Sequence, residues 1–350
     1  MQFIGTVIEK LQRHPKRIVF PEGLEPRVLQ AARQFHCLRL GAPILLGDRN
    51  KIQELAAALN LSLEGIRIIN PEESPDLDGF ARIFRLLARP RGLKAMEARK
   101  AMLNPNFFGA MMVAMRQADG LVTGTNVATT AVLRPLIQTM RLAPGISTAA
   151  ACTVMEFANT AVGENGVLVL ADVAVVPDPN MEQLADIAVS TADFARHLFG
   201  FRPRVAFLSY GTKDGTAPAA IGKIPAAVAL AEQKARKRGL EADFDGELQA
   251  DTAVVPEVAA RKLPESKVAG RANVLIFPDL PSANIGYKLL RHLAQVNAYG
   301  HILLGLDHPA ADVSRGSTAH DILGVAALVG VQAIAYERLY PGAGRPLPQK

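Results

Sequence analysis

VLVLADVAVVPDPNMEQLADIAVSTADFARHLFGFRPRVAFLS, residues Val167–Ser209, is the stretch that decides the fold class. It opens on a β-branched and leucine-rich run, VLVLAD (Val167–Asp172), too short for a helix and bounded by a proline-rich connector. EQLADIAVSTADFARHLF follows, with Leu184, Ile187, Ala188, Ala192, Ala195 and Leu198 at three- and four-residue steps. That spacing predicts a helix with one apolar face. RVAFLS (Arg204–Ser209) then reads as a second buried strand. Strand, helix and strand in that order predict a parallel pair joined by a crossover.

The same alternation extends in both directions. RIVFPE (Arg17–Glu22), APILLG (Ala42–Gly47), GLVTG (Gly120–Gly124), ANVLIFP (Ala272–Pro278) and HILLGL (His301–Leu306) are further candidate strands separated by helical patterns. The expected class is α/β with a largely parallel sheet, and 350 residues suffice for about two domains. Hydrophobic residues at 49% and charged residues at 21% exclude a disordered or fibrous chain.

The 39 Lys and Arg against 33 Asp and Glu leave a formal charge of +6, compatible with nucleic acid, a membrane surface or small anions. Aromatic residues are only 5% and Trp is absent, so base-stacking platforms are poorly supplied. The basic run KARKRG (Lys234–Gly239) accordingly reads as a solvated helix end, and no nucleic-acid partner is expected. Two cysteines, Cys37 and Cys152, cannot build a disulfide framework or a cysteine-rich zinc site, which favours a reducing compartment. Cys152 lies in a small-residue run and reads as a packed core residue. The N-terminus lacks a signal-peptide pattern, and uncharged stretches such as Ile322–Tyr336 are shorter than a membrane span. The expected location is the cytoplasm, without membrane association.

Several catalytic signatures are missing from the chain. There is no G-x-G-x-x-G after a strand, no G-x-S-x-G, no H-E-x-x-H and no Cys/His cluster. GTAPAAIGK (Gly215–Lys223) has the wrong glycine spacing for a phosphate loop. The acidic pair Asp245 and Glu247 in DGELQ suits a metal on composition, but a structural network is the expectation.

The most informative chemistry lies in DVSRGSTAHDILGVAALVGVQA (Asp312–Ala333), a polar loop feeding an apolar helix that starts near Thr318. Ser314 and Arg315 would lie beside a helix N-terminus, where N–H groups and the macrodipole favour anions, with Gly316 permitting a tight turn. Arg315 offers a planar fork suited to phosphate. Thr318 and Asp321 also match a capping box, which by itself would account for that Asp.

This segment resembles the D-L-S-R-G…D-I signature of the phosphate acetyltransferase and butyryltransferase family. RIVFPEGLEPRVLQAA (Arg17–Ala32), ADGLVTG…TTAVLRP (Ala118–Pro135), ADVAVVPDPNMEQLADIA (Ala171–Ala188), VAFLSYGTKDG (Val205–Gly215) and the long block Phe244–Leu290 resemble family blocks in the family's order. Nearly the whole chain is covered.

The resemblance implies two α/β domains with a cleft between them, similar to isocitrate and isopropylmalate dehydrogenases. The first would comprise residues 1–145 and 300–350 and the second 146–299. It implies transfer of an acetyl group between CoA and inorganic phosphate by direct thiol attack on acetyl phosphate, in a homodimer. CoA or acetyl-CoA is then a substrate, with no tightly bound cofactor and no metal. By the same resemblance Ser314 meets the thiol or developing oxyanion, Arg315 binds phosphate or the acyl carbonyl, and Asp321 is the base for the thiol. Arg134 would be a second phosphate-binding arginine, its alternative being a charge ahead of a Pro-initiated helix. Thr129, Thr130, Asn284, Tyr287 and Lys288 would line the cleft, though each also suits a cap or turn. Lys213 would meet a phosphate or stand in solvent.

Three departures stand out. Asp172-Val173 replaces the frequent Asp-Cys, so no cysteine chemistry operates there. ARPRG (Ala88–Gly92) carries Ala88 at the usual first Arg of a basic block, with Arg89 and Arg91 keeping the charge nearby. SYGTKDG replaces S-F-S-T-K-G. His308 and His320 read as exposed loop residues, with a proton relay to Asp321 as the alternative for His320. Acyl preference is open, since one methylene is worth only ~1–3 kcal/mol, so butyryl or propionyl transfer is one alternative. A non-catalytic acyl-CoA-sensing domain is the other.

Overall fold

A computed structural model of the chain describes residues 3–87, 92–213, 222–294 and 296–339. ARPRG apart from Gly92, most of GTAPAAIGK and the tail PGAGRPLPQK lie outside the described residues. The strands in chain order are β1 (Lys16–Phe20), β2 (Gly41–Leu46), β3 (Arg67–Ile69), β4 (Gly120–Thr123), β5 (Ala150–Glu156), β6 (Val167–Ala171), β7 (Arg204–Leu208), β8 (Asp243–Leu248), β9 (Val274–Ile276), β10 (Asn297–Leu304) and β11 (Ala310–Asp312). They fall into two compact units. One is Gln2–Pro144 with Leu306–Lys350, and the other is Gly145–Gly305.

In the first unit the order β3-β2-β1-β4-β11 is parallel throughout. Its core strands are short and apolar because helices cover them: the helix Ala319–Leu339 packs on β1, β4 and the helix Pro26–Cys37. Ile322, Val325, Ala326, Val329 and their neighbours are all buried, which explains why that helix reads as almost continuously apolar. Among the described residues no helix is long and apolar enough to cross a membrane.

The second unit has the order β10-β5-β6-β9-β7-β8. Its β6, β9, β7 and β8 are parallel, as the Val167–Ser209 alternation predicts. The expectation of parallel pairing fails at β5, which runs antiparallel to both β10 and β6. Cys152 sits fully buried on β5, and burial followed by the Asp172 charge pushes its thiol well above the usual range.

The helix Met181–Phe199 corrects two further expectations. Leu184, Ile187, Ala188, Ala192, Ala195 and Leu198 are buried, but so are Asp186, Ser190, Thr191 and Asp193 on the other side. Asp186 accepts from Ser147 N–H (3.1 Å) and Oγ (2.9 Å) and pairs with Lys234, while Asp193 pairs with Arg238 at 3.1 Å and His197 at 3.3 Å. KARKRG does end a helix, Lys223–Lys237, yet it is not simply solvated. Lys234 and Arg238 turn inward because two buried carboxylates need cations.

Candidate active site

Ser314, Arg315, Asp321, Thr129, Thr130 and Arg134 all fall in the first unit, in the loop and helix segments that follow β4 and β11. In a parallel α/β sheet the carboxyl edge is where loops can converge on a ligand. β1 is followed by Glu22 and Glu25, β4 by residues 124–128, and β11 by the S-R-G turn.

Gly124 shows how closely two of these loops approach. It stands at φ 108°, and a Cβ there would overlap the Asp312 carboxylate and the Val313 carbonyl. The Val313 N–H donates to Thr123 O at 2.7 Å, carrying the β4–β11 pairing one step beyond the strands. Gly316, by contrast, needs no such freedom. It lies in the expected tight turn, but a Cβ there would make only ordinary contact with Ser314 Oγ. The turn is closed instead by Ser317 N–H donating to Ser314 O at 2.8 Å, with Gly316 N–H donating to Ser314 Oγ at 3.3 Å.

Asp321 is buried at 8% exposure, in the first turn of Ala319–Leu339. Its Oδ2 accepts the Thr318 N–H at 2.8 Å, and Thr318 Oγ1 accepts the Asp321 N–H at 3.2 Å. The capping box is therefore formed. It fixes the carboxylate's position without fixing its chemistry.

A charged staple, not singled out from the sequence, joins the two loops. Arg27 Nη1 donates to Arg315 O (2.7 Å) and Ser317 O (2.8 Å), while Nη2 donates to Thr125 O (3.2 Å). Its Nε donates to Glu25 Oε1 at 2.6 Å, and Asn126 Nδ2 donates to Glu25 Oε2 at 2.7 Å. The Arg27 hydrogen bond, with help from Asn126, holds the Glu25 carboxyl below its ordinary range despite burial. Glu22 completes the clamp by accepting from the N–H groups of Gly124 (2.9 Å), Thr125 (2.8 Å) and Asn126 (2.8 Å) and from Thr125 Oγ1 (2.6 Å). The sequence signal was the density of charge in PEGLEPR, with Glu25 capping a helix that opens on Pro26.

Thr129 and Thr130 begin the helix Thr129–Thr139, whose N-cap, Ala128, supplies no side-chain hydrogen bond. Arg134 is not ahead of a Pro-initiated helix: Pro135 lies inside this one, and Arg134 is an exposed mid-helix residue. Thr130 and Arg134, four positions apart, share a face. Arg315 is likewise exposed, its backbone pinned by Arg27 while its guanidinium faces solvent.

The remaining expected site residues lie in the second unit. Asn284, Tyr287 and Lys288 are neither caps nor turns. They sit within the helix Leu280–Leu293, which Asp279 caps through the Ser282 N–H at 2.8 Å. Tyr287 is buried and its hydroxyl lies 3.1 Å from His301 Nε2, with Lys288 Nζ 5.9 Å from its ring centre. Lys213 is exposed on the surface of this unit but carries a carboxylate partner. It pairs with Asp245, which also accepts from Ser266 Oγ at 2.5 Å. Asp172 accepts four backbone N–H groups, from Ala151, Ala174, Val175 and Val176, yet burial still raises its carboxyl above the ordinary value. Its role is to hold the loop after β6. His308 is half-buried against Asp307 at 2.7 Å, which corrects its reading as an exposed residue, while His320 is exposed. Among the described residues no group of His, Cys, Asp and Glu is arranged to hold a metal ion.

The comparisons with known proteins agree with one another. A family model described as phosphate acetyl/butaryl transferase matches residues 2–330. A phosphate acetyltransferase from Thermoanaerobacterium thermosaccharolyticum is 43% identical over 333 residues, covering 95% of this chain and 100% of that protein. A phosphotransacetylase structure from Streptococcus pyogenes superposes with a TM-score of 0.87 at 38% identity, covering 95% of this chain and 98% of that one. The EutD phosphotransacetylase from Staphylococcus aureus gives a TM-score of 0.85 at 36% identity, with the same coverage of both chains.

Proposed function

The chain belongs to the phosphate acetyl/butaryl transferase family, and from that premise we propose that it transfers an acetyl group reversibly between CoA and inorganic phosphate. The observation that carries this reading is the pinned S-R-G turn. Arg27 holds its carbonyls, the Thr318–Asp321 box seats a buried carboxylate beside it, and two guanidiniums, Arg315 and Arg134, remain exposed in the same unit.

The chemistry assigns each group a task. The CoA thiol attacks the carbonyl carbon of acetyl phosphate, a C–S bond forms, and the C–O bond to phosphate breaks. Ordinary thiol and aspartate pKa values lie about 4.6 units apart, roughly 6 kcal/mol, so complete proton transfer before attack is disfavoured. Asp321 therefore takes the thiol proton as the C–S bond forms. Ser314 Oγ already accepts the Gly316 N–H, which leaves its own proton to donate to the developing oxyanion. Arg315 and Arg134 bind the phosphoryl oxygens, with Thr129 and Thr130 at an uncapped helix N-terminus adding donors. Holding both substrates face to face supplies several kcal/mol more. Asn284, Tyr287 and Lys288 take the supporting role of shaping the second unit's substrate surface, with Tyr287 acting through its packing against His301.

CoA enters and leaves as a substrate, so no resident cofactor is needed. Location in the cytoplasm is supported by two unpaired cysteines, Cys37 and Cys152. Homodimer formation is supported by an exposed apolar stripe on Leu280–Leu293, where Ile285, Leu289 and Leu293 recur every four residues at 62%, 53% and 78% exposure. Sedimentation of the purified chain tests that assembly.

Thioester formation from CoA with acetyl, propionyl and butyryl phosphates tests the reaction. Turnover fastest with acetyl phosphate is the expected result. CoA binding without turnover on any of the three would overturn it in favour of a sensing role.

A further inference from the structure

A second cationic hollow lies in the first unit, away from the S-R-G turn. It measures about 1000 Å³ and is lined by Lys16, Arg17, Arg33, His36, Cys37 and Arg39 among others. It opens where β1 and β2 begin, whereas the Ser314 turn follows the end of β11. All five strands of this sheet run parallel, so hollow and turn occupy opposite edges.

The charges here are poorly balanced. Asp119 is engaged by Arg17, with Nη2 at 2.8 Å from Oδ1 and Nε at 3.1 Å from Oδ2, and feels Lys16 more weakly. Arg33 and Arg39 meet no carboxylate at ion-pair distance among the described residues. Of the lining residues only Glu64 carries negative charge, and it offers Arg33 its backbone carbonyl at 3.1 Å.

The walls are also held in place. Arg17 Nη2 donates to Arg116 O at 3.1 Å. Gly65, at φ 76°, sits so close to the His36 ring that any Cβ would overlap it. Arg39 stands at φ 57°, with its N–H on His36 O at 2.9 Å, and Leu38 and Leu40 N–H groups satisfy Gln34 O and Phe35 O. These bonds blunt the negative end of the helix Pro26–Cys37, which would otherwise repel an anion.

We propose that this hollow binds a polyphosphorylated small molecule at a site separate from the acetyl-transfer site. The fork-shaped donors of Arg33 and Arg39 suit phosphoryl oxygens, Lys16 adds a point charge, and the volume matches a ligand of nucleotide size.

Cys37 supplies the readout, because it is exposed in the hollow while Cys152 is fully buried. The rate at which a neutral maleimide labels Cys37 in the full chain is followed with inorganic tripolyphosphate as the probe. At ten times the dissociation constant, about one site in eleven stays open, so labelling slows about tenfold. The protection persists in Arg315→Ala and is lost in Arg33→Ala/Arg39→Ala. Should that double variant melt early, Lys16→Gln/Arg39→Gln serves instead, and it weakens protection with folding intact. Unchanged labelling overturns the proposal, as does equal slowing by sodium chloride at matched ionic strength. Protection that vanishes in Arg315→Ala but survives in Arg33→Ala/Arg39→Ala places the anion in the transfer site and also overturns it. Acetyl transfer itself is read separately, by thioester formation, so failure of one reading leaves the other standing.

Discussion

Replacing Arg27 by alanine isolates positioning from chemistry, because Arg27 need not touch substrate for its loss to matter. Its guanidinium donates to three carbonyl oxygens on two loops, Arg315 O and Ser317 O on one and Thr125 O on the other. Hydrogen bonds from a charged donor contribute about 1.5–3 kcal/mol each, but the three contacts are exposed or only part-buried and water replaces part of each. About 2–4 kcal/mol of stability should therefore be lost, leaving the chain folded at moderate temperature. The kinetic effect is larger in kind. Freed from Arg27, the turn carrying Ser314 and Arg315 shifts relative to Asp321, and a displacement near 1 Å costs about a hundredfold in rate. Steady-state thioester formation should show kcat down by about that factor, with KM for acetyl phosphate changed little, since the Arg315 guanidinium remains present. Arg27→Lys should recover only part of the rate, because one ammonium cannot serve three acceptors as a fork does. A circular-dichroism melt confirms folding. Turnover of Arg27→Ala within twofold of the unsubstituted chain would refute the staple.

Further substitutions probe other parts of the structure. Asp321→Asn keeps an oxygen for the Thr318 N–H, so stability should change by less than about 1 kcal/mol while kcat loses most of its value and KM for acetyl phosphate hardly moves; full turnover would end the base assignment. Lys234→Met leaves the Asp186 carboxylate, 2% exposed, without its cation, and denaturant unfolding should show a loss of about 3–5 kcal/mol. The hydrogen bond that His197 donates to Asp193 raises its imidazole above the ordinary 6.5. Its stabilisation is therefore complete below that value and is lost as pH rises through the folded one. Melting temperature followed from pH ~6 to ~9 should fall along that course in the unsubstituted chain, and His197→Ala should remove that component.

Seven of the eleven strands among the described residues were legible, because they hold continuous apolar runs such as VLVLA and the VAFL of RVAFL. The other four escape for separate reasons. β3 and β11 have three residues each, as β9 does, but they lack the longer apolar run, ANVLIFP, that made β9 visible. β5 opens on Ala-Ala-Cys and β8 reads DFDGEL, whose Asp243 and Asp245 pair with Arg202 and Lys213 only in the folded chain. The antiparallel turn at β5 has no local signal, because strand direction is set by partners distant in sequence. The capping box was visible from spacing alone, and so was the loop that precedes it. The staple was not, because Arg27 reaches Arg315 across 288 positions, and only the fold brings them together. Burial of the polar side of Met181–Phe199 was hidden for the same reason: the cations that neutralise Asp186 and Asp193 come from another helix end.

Exchange of labelled inorganic phosphate into acetyl phosphate tests the central claim most directly. Direct attack by the CoA thiol, with no acetyl group held by the protein, predicts exchange when catalytic CoA is present and none when it is omitted. Exchange without CoA would mean that the chain itself accepts the acetyl group. No exchange even with CoA would mean that the pinned turn and Asp321 do not carry out acetyl transfer.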